Sequence, residues 1–298
     1  MLCQVSAQVL AHPMSTDRIT QPEREQPAKP FLRWAGGKSW LVRRAEALFG
    51  PLEFRRYHEP FVGGGSFFFS LPSGTSAFLS DKNEALIGTY GAVRDDCERI
   101  IEILTSLTND ATTYYEVRSS KSECRFEQAA HFIFLNQTSF NGIYRVNLVG
   151  KYNVPYGYRT KDFVQAEILR EASRRLATAR LRSADFMAIL DNVRDGDLVF
   201  IDPPYTVSHN KNGFIKYNQS LFSLEDQTRL ATFVQEVRSR RAHYILTNAA
   251  HDAIEAIFRT SDLRIEVKRA SLIGGKNAHR GATSEYLFTN LPVRSCQS

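Results

Sequence analysis

The sequence predicts an α/β fold: a mostly parallel, Rossmann-like sheet with a helical and β-hairpin lobe inserted into it. Three observations carry that expectation. Short apolar strands alternate with amphipathic helices. A glycine-rich turn sits inside "YHEPFVGGGSFFFSL", directly after the first strand. A later strand, "DLVFI", ends abruptly at a Pro-Pro pair.

Taken in order, residues 1–29 have no apolar period and read as a flexible lead-in, with Met14 as an alternative start. From Phe31 the texture changes. "YHEPFVGGGSFFFSL" reads as strand, glycine turn and apolar helix. "AFLSD" is a second short strand ending in Asp81, and "NEALIGTYGAVR" has helical spacing. Residues 95–140 are helical and amphipathic. "FNGIYRVNLVGKYNVPYGYR" then breaks the pattern with Asn-Gly and Val-Gly turns, as a β-hairpin over about 139–160 would. Helical texture returns in "VQAEILREASRRLATAR". After the "DLVFI" strand come the helix "LEDQTRLATFVQEVRSRR", the strand "HYILTN", the short helix "AIEAIF" and the closing strands "RIEVKRA" and "EYLFTN". Residues 30–90 and 181–298 are assigned to the sheet domain, and 91–180 to the inserted lobe.

Composition narrows the partners. Among 298 residues, 43% are hydrophobic and 23% charged, enough for a sizeable core. Thirty-eight Lys and Arg against 32 Asp and Glu leave a net charge of +6, which favours an anionic partner, nucleic acid first. Cys3, Cys97, Cys124 and Cys296 form no CxxC pair, so neither a zinc site nor a disulfide framework is expected. Reduced thiols and a cytoplasmic setting follow as the default. The apolar runs are too short to span a membrane, and the N-terminus lacks the charge and apolar pattern of a signal peptide.

"FLRWAGGKSW" looks at first like half of a phosphate-binding loop. That loop needs a glycine five residues before its Gly-Lys pair, and Leu32 stands there. The stronger signal is "IDPPY". Asp202 offers an acceptor for an amino group. Pro203 and Pro204 lack N–H donors and hold the backbone rigid, leaving carbonyls free to accept. Tyr205 supplies a flat face. Together they suit the exocyclic amine of an extruded nucleobase; the competing reading is a strand-end turn with a helix-capping Asp. Gly63 and Gly65 allow close backbone approach to a ligand, with a tight packing turn as the alternative. Asp81, sixteen residues beyond Gly65, stands where a carboxylate takes ribose hydroxyls.

"RWAGGK", "EPFVGGGSFFF", "SDKN", "NQTSFNGIYRVN…GKYNVPYG" and "IDPPY" occur in this order, and the chain resembles the Dam-type DNA adenine-N6 methyltransferases from about Phe31 to Asn290. The resemblance implies an S-adenosylmethionine-dependent methyltransferase sheet carrying a target-recognition lobe. By it, Trp34 and Lys38 hold the cofactor, and Phe61, Gly63 and Gly65 line its methionine end. Asp81 binds the ribose, Asp185 and Phe186 of "SADF" meet the adenine, and Asp202 serves both cofactor and substrate. Arg33 stands at a basic position that faces DNA. In the hairpin, Asn141 and Arg145 match positions at bases or the adjoining backbone. An arginine paired with guanine discriminates by about 1–3 kcal/mol, whereas a phosphate contact at Arg145 would only position. Pro155 matches a residue that touches a thymine methyl. Phe140 and Ile143 either fill space vacated in the duplex or form hairpin core. Lys151, Arg159 and Lys161 face phosphates or solvent. Phe214 and Tyr217 match a segment near the flipped base, with an ordinary surface loop as the alternative.

The implied reaction uses no metal and no covalent enzyme intermediate, and the implied partner is double-stranded DNA, with GATC as the expected target. A monomer is expected in solution, and a cognate restriction endonuclease is a further expected partner. A cytosine-C5 enzyme would need a Pro-Cys nucleophile, which is absent. Cytosine-N4 enzymes usually carry Ser in place of Asp202. An RNA adenine methyltransferase and a catalytically silent DNA-binding relative stay open as alternatives. The basic stretch Gly274, Lys276, His279 and Arg280 reads as a DNA-edge loop or a solvated one; His131 and His243 read as structural.

Overall fold

The computed structural model describes residues 26–147, 150–205, 222–259, 262–270 and 282–294. Among these, seven strands form one sheet: β1 Tyr57–Glu59, β2 Ala77–Asp81, β3 Ala179–Ser183, β4 Leu198–Ile201, β5 His243–Ala249, β6 Leu263–Ala270 and β7 Ala282–Thr289. Their spatial order is β3-β2-β1-β4-β5-β7-β6. The first five are mutually parallel, while β7 runs antiparallel to both β5 and β6. The order reverses between β1 and β4, which are paired through Tyr57 with Leu198 and His58 with Val199. In open α/β sheets a ligand crevice forms beyond the carboxyl ends of the strands at such a switch point.

Side-chain alternation divides the core between the two faces of the sheet. Leu198 and Phe200 of β4 face one apolar layer with Tyr57, Leu79, Ile245 and Leu287. Val199 and Ile201 face the other with Phe78, Tyr244, Leu246 and Phe288. The first layer is covered by α1 Ser39–Phe49, α2 Glu84–Asp95, α3 Cys97–Ser106, α4 Ala111–Ser119, α5 Arg125–Thr138 and α6 Ala166–Leu176. The second is covered by α7 Leu224–Ser239 and α8 Asp252–Ile257. Tyr114, Ile133 and Phe134 of the inserted segment share the first layer with the strands.

Helix starts follow local chemistry. Asn83, Asp96 and Asp110 accept the backbone N–H groups of Leu86, Arg99 and Thr113 at the heads of α2, α3 and α4. Ser223 and Asp226 form a reciprocal capping box at α7.

Two elements differ from the sequence reading. The glycine turn is followed by a single 3-10 turn, Phe68–Ser70, rather than by an apolar helix. Leu71 precedes Pro72 and is extended, as a residue before proline prefers. The tight turn also splays three rings: Phe67 stacks on Phe200 at 4.3 Å, Phe68 lies by Tyr57, and Phe69 packs near Tyr90. The expected hairpin is, among the described residues, two isolated antiparallel bridges, Ser139 with Tyr156 and Val146 with Tyr152. Asn141 and Gly142 take left-handed conformations, and Pro155 has no N–H for a ladder. Side chains hold the segment instead: Tyr152 donates to the Ile143 carbonyl (3.0 Å), and Asn147 accepts from the Lys151 amide (2.9 Å).

Candidate active site

Asp202 follows directly on β4, so its carboxyl group emerges at the carboxyl edge of the sheet. Two donors converge on its Oδ1: the Lys38 ammonium at 2.7 Å and the Thr247 hydroxyl at 2.7 Å. No donor among the described residues reaches Oδ2, which stays available as an acceptor. Burial raises the Asp202 carboxyl above its ordinary range, and the charge of Glu285 adds to this, while Lys38 and Thr247 oppose it.

Lys38 is only 3% exposed. Its Nζ also donates to the Gly36 carbonyl at 2.8 Å, lies 3.8 Å from Glu285 Oε2, and stands 4.9 Å from the Tyr205 ring centre. The Tyr205 hydroxyl donates to Glu285 Oε2 at 2.8 Å. One ammonium thus bridges the head of α1, the Asp-Pro-Pro-Tyr turn and β7. Pro203 is buried and Pro204 exposed.

Beside this cluster, the glycine turn is shaped first by the protein's own side chains. Gly63 and Gly65 both have positive φ. A Cβ on Gly63 or Gly64 would meet Trp34 at 2.8 Å, and one on Gly65 would meet the Tyr90 hydroxyl at 2.9 Å. Tyr90 in turn donates to the Gly63 carbonyl at 3.0 Å. Trp34 lies over the turn and stacks on Tyr144, with centroids 5.5 Å apart. Asp81, closing β2, accepts from the amides of Gly63 (3.2 Å) and Asn83 (3.0 Å). Its carboxyl is raised by burial, with those amides pulling the other way.

Phe61 is half-buried and leans on Phe186 and Phe222. Phe186 is 1% exposed and belongs to the core beneath Phe61, with the Arg229 guanidinium over its ring. Asp185 caps the 3-10 turn that follows it and pairs with Lys82 and Arg229; burial pushes its carboxyl up, but the Met187 amide together with Lys82 and Arg229 holds it below the usual range. Phe186 thus lies behind the ring of Phe61 rather than at the surface. Phe214, Tyr217 and the 274–281 loop lie outside the described residues, as does most of the N-terminal lead-in.

The segment around 139–157 presents Phe140, Asn141, Arg145 and Pro155 as exposed residues, with Ile143 half-buried. Phe140 is 53% exposed, which separates it from hairpin core. The Arg145 guanidinium rests on Asn153, donating to Oδ1 at 2.8 Å. Arg33 is partly buried against Gly142, and burial together with the nearby Arg159 lowers its pKa.

Several residues of the site escaped the sequence reading. Asn136, at the end of α5, holds the loop of Trp34 by both backbone groups of Arg33: its Oδ1 accepts from the amide at 2.8 Å and its Nδ2 donates to the carbonyl at 2.7 Å. Gln137 donates to the Phe31 carbonyl at 2.7 Å. Both are buried, and their signal is a polar pair closing the apolar run "FIFL". Thr247 and Glu285 each adjoin an apolar run, "YIL" and "YLF", and an acid within "EYLF" is the corresponding clue.

Sheet order, glycine turn and strand-end carboxylate define a methyltransferase of the α/β class. The chain belongs to the D12 class of N6 adenine-specific DNA methyltransferases, whose family model matches residues 34–271. It is 33% identical over 274 residues to the type II methyltransferase M1.LlaDCHI of Lactococcus lactis subsp. cremoris, covering 88% of this chain and 95% of that one. Type II methyltransferase M.MjaIII of Methanocaldococcus jannaschii is 35% identical over 244 residues, 74% of this chain and 84% of the relative. The DNA adenine methylase of Escherichia coli K12 is 33% identical over 235 residues, 76% and 82% of the two chains. Among the described residues no helix is long and apolar enough to cross a membrane, and no cluster of His, Cys, Asp and Glu could hold a metal ion.

Proposed function

We propose that the protein methylates N6 of an adenine turned out of duplex DNA, within GATC, using S-adenosylmethionine. The observation that carries this reading is the Asp202 carboxylate at the switch point, with Oδ1 committed to Lys38 and Thr247 and Oδ2 left to accept an amine proton.

The donor set suits that cofactor. Asp81 sits beside the glycine turn as an acceptor for ribose hydroxyls, Phe61 offers an aromatic face, and the nearby carboxylates favour a cationic sulfur. When bound, S-adenosylmethionine supplies an electrophilic methyl group. The protein's own task is then chiefly to place the amine in line with it. Asp202 Oδ2 and the Pro203 carbonyl accept the two amine hydrogens, which draws the nitrogen toward tetrahedral geometry and exposes its lone pair. Asp202 need not be a strong base, because the amine becomes acidic only once the methyl is attached. Unstacking the target costs a few kcal/mol, and stacking on Tyr205 returns about 1–3 kcal/mol. The exposed Phe140, Asn141, Arg145 and Pro155 supply the face that reads sequence; GATC rests on the resemblance of this segment.

The test is to incubate the purified chain with donor labelled in its methyl group and with duplexes that contain or lack GATC. Digestion with methylation-sensitive and methylation-dependent nucleases then locates the mark. Label confined to adenine of GATC supports the reading; label in cytosine, or in RNA alone, overturns it.

A further inference from the structure

We propose that Glu285 is a positioning residue of the methyl-transfer site, holding the Tyr205 ring through its hydroxyl and sharing Lys38 with Asp202. This inference rests on the proposed amine-methylating role of the Asp-Pro-Pro-Tyr turn. Glu285 lies on β7, in register with Ala249 of β5 and Val267 of β6. It is 2% exposed, and the next three residues, Tyr286, Leu287 and Phe288, are buried apolar side chains. A carboxylate in such a place is costly to bury unless it is paired. Two of its partners are members of the site: the Tyr205 hydroxyl at 2.8 Å and the Lys38 ammonium at 3.8 Å.

The geometry gives this pairing a purpose. Tyr205 follows two prolines just beyond the end of β4. Fixing the hydroxyl on Glu285 sets the direction of the ring axis. Lys38 stands over the ring, 4.9 Å from its centre, so a base is confined to the other face. The same ammonium touches Asp202 Oδ1. Loss of Glu285 therefore frees the ring and leaves Lys38 to Asp202 and the Gly36 carbonyl.

The experiment compares wild-type protein with Tyr205→Phe, Glu285→Ala, Glu285→Gln and the double variant Tyr205→Phe/Glu285→Ala. The readouts are kcat, KM for DNA, and the fluorescence of 2-aminopurine at the target position. Glu285→Ala and Tyr205→Phe should each raise KM for DNA and weaken the fluorescence rise by about tenfold, the scale of one hydrogen bond to a charged group. The double variant should be no worse than Glu285→Ala alone, because Glu285→Ala already removes the bond that Tyr205→Phe removes. Glu285→Gln keeps an acceptor and should restore near wild-type fluorescence. Additive losses, or an unaffected Glu285→Ala, overturn the inference. Should Glu285→Ala not fold, the remaining pair decides: Tyr205→Phe must lose the signal while Glu285→Gln keeps it, and any other pattern counts against the role. A wild-type protein that transfers no methyl group to adenine refutes the function itself, a different outcome from a wild-type enzyme whose Glu285 variants behave normally.

Discussion

The ammonium of Lys38 lies 2.7 Å from Oδ1 of Asp202, across 164 residues of chain. It joins the loop ahead of α1 to the strand-end turn where the chemistry is proposed. Burial drives the Asp202 carboxyl upward, and Lys38 is the first of the groups that oppose it. Replacing Lys38 by Met should therefore move the acid limb of the kcat profile to higher pH, because an uncompensated buried carboxyl protonates more readily. A pH series on both proteins measures this; a limb that stays put or moves to lower pH contradicts the pairing.

Trp34 and the glycine turn form one packed unit. A Cβ at Gly64 would stand 2.8 Å from the Trp34 Cβ and 3.8 Å from the Leu32 carbonyl oxygen. Gly64→Ala should cost about 1–3 kcal/mol by overpacking. It should also weaken cofactor binding, which thermal melting with and without S-adenosylmethionine reads together. Unchanged melting and unchanged ligand stabilisation would argue against the close contact.

At the neck of the proposed recognition segment, Gly157 passes against the backbone of Ser139. A Cβ there would lie 2.5 Å from the Ser139 carbonyl oxygen, while the Gly157 amide donates to the Thr138 carbonyl at 2.9 Å. Gly157→Ala should open this neck, lowering DNA affinity and site preference by about tenfold or more while sparing cofactor affinity. The tenfold scale corresponds to about 1.4 kcal/mol. Filter binding against cognate and non-cognate duplexes checks it. Equal affinities for the variant and wild type would show the neck to be incidental.

His58 and Asp197 make an acid-sensitive pair in the core, with Nε2 to Oδ2 at 2.8 Å. Burial lowers the His58 pKa despite the pull of Asp197. Burial works to raise Asp197, but hydrogen bonds from Arg56 and His58 prevail and hold it below the usual carboxylate range. Below the ordinary His value of about 6.5, the unfolded chain binds a proton that folded His58 resists, so stability falls as pH drops. Asp197 adds a second loss as pH falls through its lowered pKa. Denaturant melts of wild type and His58→Gln from pH 8 to pH 4 should show a smaller acid loss in the variant. Parallel curves would exclude His58 as the sensor.

Much of the scaffold was legible in the residues. "AFLSD" became β2 with the same bounds, and "LVFI" became β4, because an apolar run stopped by an Asp or a Pro-Pro pair has few other readings. The Asp-Pro-Pro-Tyr turn and Asp81 were likewise visible, since each ends a strand. Glu285 and Thr247 were not, because a polar residue on a closing strand reads as solvent-facing until the neighbouring strand and the turn of β4 bury it. The Lys38–Asp202 pair has no local signature at that separation. The three phenylalanines after the glycine turn carry no period that separates an α-helix from a 3-10 turn; packing against Phe200, Tyr57 and Tyr90 decided it. In the proposed recognition segment, alternation suggested a ladder, but the left-handed Asn141-Gly142 step and Pro155 limit it to two bridges among the described residues.

The most direct measurement is methyl transfer by Asp202→Ala alongside its affinity for S-adenosylmethionine. Transfer reduced to background at saturating cofactor, with the cofactor still bound, is the expected result. Turnover at the wild-type rate would show that the carboxylate at the end of β4 does not hold the amine.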